Sequence, residues 1–81
     1  MRKFKRLMVF NMIVEVFKTN VAEVELSELL IQQLEDQFPD SLINFDMEDC
    51  DKILRVEASA IAPEKIIQIL NSNGYSCEVL T

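Results

Sequence analysis

Hydrophobic residues along this chain recur first at every second position, then at every third or fourth, and the pattern switches back and forth so that few folds can satisfy it. "FNMIVEVFKT", residues 10 to 19, is rich in β-branched and aromatic residues, with Ile13, Glu15 and Phe17 alternating against Met12, Val14, Val16 and Lys18. Alternation places successive side chains on opposite faces, so this segment reads as a central or half-buried strand. In "AEVELSELLIQQLEDQF" the apolar positions Leu26, Leu29, Leu30, Leu34 and Phe38 fall at three- and four-residue spacing, while Glu25, Glu28, Gln32, Glu35 and Asp36 fill the other side. That spacing predicts an amphipathic helix with one buried stripe. Asn20 stands three residues ahead of Glu23, a variant of the capping box that predicts a helix start there. Pro39 ends the helix, because proline disfavours helical geometry in the residue before it.

"SLINFDM" and "KILRVEA" return to alternation and are separated only by Glu48, Asp49, Cys50 and Asp51, which predicts a β-hairpin. Pro63 and Glu64 suit the first turn of a second helix, where the missing N–H costs nothing and a carboxylate complements the dipole. Ile66, Ile67 and Leu70 give that helix its apolar face. Asn73-Gly74 ends it, with the chain's single glycine where a left-handed residue is wanted, and "YSCEVL" is a last short strand. The predicted fold class is therefore α+β with the order βαββαβ, the split βαβ arrangement of ferredoxin-like folds. Right-handed crossovers then give a four-stranded antiparallel sheet of order 4-1-3-2 with two helices on one face. The first loop, the hairpin turn and the loop before the last strand share one end. Cys50 and Cys77 lie on opposite sides of that pole. Strands about 4.8 Å apart separate them beyond the roughly 7 Å Cα limit of a disulfide, so two free thiols are expected.

The length of 81 residues is that of one domain, read as a basic extension over residues 1–9 and a single ferredoxin-like domain over residues 10–81. Fourteen acidic against eight basic side chains give a net charge of −6, yet Arg2, Lys3, Lys5 and Arg6 all lie in the first six positions. The remainder is strongly anionic and repels phosphate backbones and anionic lipid, so neither nucleic acid nor membrane is an expected partner. A cation or a basic protein is the more natural counterpart. The opening "MRKFKRLMVFNMIVEVF" has the outline of an export signal, but Asn11 and Glu15 interrupt the apolar run and no small-residue cleavage pattern follows. No run reaches the roughly 20 apolar residues of a membrane span. The expectation is a cytoplasmic protein, with Met8 and Met12 as alternative starts.

The sharpest local cluster is the acidic turn: Asp46, Glu48, Asp49, Cys50 and Asp51, with Glu23 close by if the first loop sits over it. Ca²⁺ or Mg²⁺ would accept the carboxylates, and Zn²⁺ could add Cys50. The spacing lacks the glycine and twelfth-position glutamate of an EF-hand loop, the chain has no histidine, and turns are acidic for conformational reasons alone. A solvated turn is the simpler reading, with a divalent-cation site and a reactive thiol as alternatives. Cys77 reads as core filler and Tyr75 as a partly buried ring. Met8, Met12 and Met47 show no ligand spacing, and Arg55 reads as one half of a surface ion pair.

RNA-recognition domains share this element order, but they stack bases on aromatics of strands 1 and 3, and "KILRVEA" has none. No histidine, no nucleophile with an evident base and no glycine-rich phosphate loop is present, so no enzyme and no cofactor is expected.

Over about residues 10 to 80 the chain resembles the heavy-metal-associated domain of copper chaperones and metal-transporting ATPases. The resemblance lies in strand 1, the helix ending in "FPD", the hairpin, "PEKIIQIL" and Gly74-Tyr75. It implies a Cys-x-x-Cys at the junction of strand 1 and helix 1, where two thiolates near a helix N-terminus grip a soft ion. Here Glu23 and Leu26 fall on the two cysteine positions, so the scaffold is shared and the soft-metal chemistry is not. The chain is also similar to a group of small bacterial proteins, mostly of Bacteroidetes type, in "VFKTN" (16–20) and the pattern NFDxEDCDxILR (44–55), a resemblance that brings no activity with it. The residues together predict a non-enzymatic binding module that uses the open face of its sheet or edge strand 2 to contact another protein or a second copy. A metal-handling protein built on the acidic turn, and a small-ligand regulatory domain with a pocket between subunits, are the alternatives.

Overall fold

A computed structural model describes residues 12–48 and 50–80. The first alternating run forms β1 (Ile13–Thr19), the 3.6-period run forms α1 (Val24–Gln37), and the paired runs form β2 (Leu42–Asp46) and β3 (Ile53–Ala58). Pro63 opens α2 (Pro63–Ser72) as its first residue, and β4 (Cys77–Val79) closes the chain's regular structure. All strand pairs are antiparallel, and the sheet order is β2-β3-β1-β4, or β4-β1-β3-β2 counted from the other edge.

The registers explain where the core lies. Residues directly opposite one another in an antiparallel pair project to the same side. Phe45, Leu54, Phe17 and Val79 therefore form one row across all four strands, with Ile43 and Val56 in the next row and Thr19 beside Cys77. Leu30 and Leu34 of α1 and Ile66 and Leu70 of α2 pack into the same cluster as Phe17, Leu54 and Val56. Both helices thus cover one face. Burial of each such side chain contributes roughly 1.5–3 kcal/mol. Glu15, opposite Val56 in the register, also projects to this side and is half-buried.

Local chemistry sets the helix ends. At the C-terminus of α2 the Tyr75 N–H donates to the Leu70 carbonyl at 3.0 Å and the Gly74 N–H to Asn71 at 3.0 Å, the paired bonds of a Schellman motif. Gly74 has φ +90°, open to glycine and strained for an L side chain. Tyr75, two residues beyond the cap, packs partly buried against the core that holds Leu70. At the other end of the chain, the expected asparagine cap is overturned. The N-cap of α1 is Glu23, which makes no side-chain capping bond, and Asn20 lies outside the helix. Its Oδ1 accepts the Ser76 N–H at 2.9 Å instead, because the fully buried Val21 holds the loop down and carries Asn20 beside the loop before β4. Leu29 departs from the predicted stripe as well. It is 55% exposed, since Leu30, Leu34 and the buried Ser27 define the inward face and Leu29 falls off its edge.

The strands are shorter than their alternating sequences: Met12, Met47 and Lys52 lie outside them. The basic extension over residues 1–9 and the predicted strand start at Phe10 lie outside the described residues.

Candidate functional site

The pole holding the first loop, the hairpin turn and the loop before β4 is knitted by the backbone. Thr19 ends β1 with its side chain buried; its hydroxyl donates to the Lys52 carbonyl at 2.6 Å and accepts the Val21 N–H at 3.2 Å. The Thr19 N–H donates to the Asp51 carbonyl at 3.1 Å, so the strand end and the turn hold each other. Nothing in the sequence marks Thr19 as more than a strand residue; its role comes from the register that sets β1 against the turn.

The acidic turn uses its charges locally. Asp46 Oδ1 accepts the Glu48 N–H at 3.2 Å, closing an Asx-type turn. Asp51 sits 3.9 Å from the Lys18 ammonium, with both side chains about half exposed. Lys52, at φ 48°, turns the chain and donates from Nζ to the Met47 carbonyl at 3.1 Å. Cys50 is exposed, and Asp49 lies outside the described residues. Glu23 is exposed on the first loop, and among the described residues no group of three or more cysteine, aspartate or glutamate side chains converges where an ion could be held. The position matching the second cysteine of the heavy-metal-associated pattern, Leu26, packs against the core.

Both cysteines are free. Cys77 lies beside Thr19 on the covered face, and burial, followed by the charge of Glu78, pushes its thiol up to about 11. At neutral pH it is a protonated, apolar-behaving group, as expected of core filler.

The concave regions are shallow. One of about 370 Å³ at the pole is lined by Lys18, Asn20, Asn71, Ser76 and Glu78 along with Cys77. Another, of about 320 Å³, runs between the helices, where the Gln33 and Asn73 amides pair at 3.1 and 3.2 Å. The space enclosed between Phe38, Val56, Ala58 and Ile61 is about 10 Å³, too small for a ligand.

The remaining surface of note is the sheet face turned away from the helices. Leu42, Glu57 and Val14 form one cross-strand row there, and Asn44, Arg55 and Val16 form the next, extended by Leu80, whose N–H donates to the Val16 carbonyl at 2.8 Å. Val14 is 51%, Leu42 60% and Leu80 43% exposed. Arg55 is exposed and, contrary to the surface ion pair expected for it, forms none among the described residues; its row neighbours Asn44 and Val16 carry no charge. The out-of-phase positions of the alternating runs already carried this face, but alternation alone does not say which phase is covered.

In comparisons with known proteins, no family model, no curated protein and no solved structure matches the chain. What fold and surface define is a class: a small α+β domain whose antiparallel sheet is covered by helices on one side and open, among the described residues, on the other. Among those residues no helix is long and apolar enough to cross a membrane.

Proposed function

We propose that the chain is a non-enzymatic binding module of ferredoxin-like design, and that it contacts a protein partner through the open sheet face. The observation carrying this reading is the exposure of Val14, Leu42 and Leu80 around Arg55 on one flat surface. Exposed apolar patches framed by charge mark interaction sites in soluble proteins. The acidic turn is the weaker candidate, since Asp46 and Asp51 are engaged with Glu48 and Lys18. Two cysteines kept apart as thiols suit a reducing compartment, and we place the protein in the cytoplasm.

Affinity capture with the wild-type chain, repeated with Leu42→Glu, tests the reading. A partner retained by the first and lost by the second supports it, provided both proteins melt at similar temperatures. Capture unaffected by Leu42→Glu and by Val14→Asp would move the site elsewhere. Calorimetric heat at micromolar Zn²⁺ or Ca²⁺, absent in Cys50→Ala, would favour the acidic turn.

A further inference from the structure

We propose that the open face pairs with the same face of a second copy, about a two-fold axis that lies between the two sheets, parallel to them, and runs across the strands between the two central rows. The inference rests on the binding-module reading and names its partner. A two-fold contact must be self-complementary, each residue meeting the partner of its own counterpart. The open face offers one such solution. Glu57 and Arg55 are neighbours on β3, one row apart, and Val14 and Val16 hold the corresponding positions on β1. An axis between the rows sets Arg55 of each copy over Glu57 of the other, Val14 over Val16, and Leu42 over Asn44. Two charge pairs on β3 then hold the centre, flanked by the valine contacts on β1 and the Leu42–Asn44 contacts on β2.

Other placements of the axis are worse on charge. Passed through either row, it stacks Arg55 on Arg55 or Glu57 on Glu57. Turned parallel to the strands, between β3 and β1, it places both charges over valines. That same rotation also brings Asp46 against Glu78, which end the third row, Asp46–Ile53–Lys18–Glu78. Like charges in contact are unfavourable, and a charge buried on an apolar side chain loses hydration without compensation. Arg55, without an ion pair of its own among the described residues, gains one in the favoured arrangement. Two rows across three strands, with strands about 4.8 Å apart and same-face residues about 6.8 Å apart, cover on the order of 200 Å², well below the roughly 800 Å² per partner of stable complexes. The dimer is therefore concentration-dependent.

Sedimentation equilibrium of the full chain, from micromolar to millimolar concentration, tests the pairing with two charge reversals. Wild type is expected to associate; Arg55→Glu and Glu57→Arg, each facing only like charge in its own homodimer, are expected to dimerise about ten-fold more weakly or worse. An equimolar mixture of the two variants is expected to recover association, because both pairs across the axis then join opposite charges. A wild type monomeric throughout, a dimer indifferent to both reversals, or a mixture no better than its components would overturn the proposal. A monomeric wild type whose captured partner is still lost on Leu42→Glu overturns self-pairing alone, whereas absence of both association and capture overturns the binding-module reading with it.

Discussion

Val56 and Val14 lie on strands that pair with each other, one row apart along the sheet, yet Val56 is 1% and Val14 51% exposed. The difference is the face each side chain meets: the helices pack over one, whereas on the other Val14 and Leu42 stay exposed and only Ile53, beside the hairpin turn, is covered. The same residue type thus lies in the core on one side and at the surface on the other, which implies that substitutions on the two faces have separable effects.

The largest contrast is expected from Phe17→Ala against Val14→Ala. Phe17 is fully buried at the centre of a four-strand row, and its truncation is expected to cost about 3–5 kcal/mol in urea unfolding. Val14→Ala is expected to change stability by less than about 0.5 kcal/mol. Equal losses would break the distinction between the faces.

The thiols sharpen the same comparison. Burial, with the charge of Glu78, pushes the Cys77 thiol from the ordinary 9.0 up to about 11, so the folded state binds its proton more tightly than the unfolded chain does. Stability from this group is intact below pH 9 and falls as pH rises from about 9 to 11, by about 2–3 kcal/mol in all. Cys77→Ala is expected to remove that component from the pH dependence of the unfolding midpoint. With a thiol-reactive probe at pH 8, exposed Cys50 is expected to react in the native protein, and buried Cys77 only on unfolding.

Smaller effects test the pole and the cap. Thr19→Val keeps the shape but removes a buried hydroxyl that satisfies both the Lys52 carbonyl and the Val21 N–H; a loss of about 1–3 kcal/mol is expected from chemical denaturation. Gly74→Ala is expected to cost about 1 kcal/mol from its positive φ alone, since a Cβ there meets nothing within 4 Å. Least of all, Leu42→Thr is expected to leave the melting temperature nearly unchanged while weakening association, which a melt and a sedimentation run on one sample would show.

Much of this architecture is visible in local patterns. The periods of residues 13 to 19 and 24 to 37, the Pro63 start and the Gly74 stop each correspond to an element or its end. The misreadings have a common origin. Asn20 fits a cap by spacing, but the burial of Val21 carries it to Ser76 in a different loop, a contact 56 residues away. Leu29 fits a helical stripe, but a stripe has width, and which edge residues are covered depends on the sheet beneath. The acidic turn is contiguous in sequence, whereas the engagement of Asp51 with Lys18, beside the local bond from the Glu48 N–H to Asp46, follows from the pairing of β1 with the turn.

By itself the sequence determined the kinds of elements, their order and their amphipathic sides, because period and turn chemistry act over a few residues. Only tertiary structure decided which phase of each strand is covered, that Glu57 and Arg55 stand in adjacent rows with valines beside them, and that Thr19 closes the pole. Those outcomes depend on strand register, which brings distant residues together through packing that no short stretch of chain encodes.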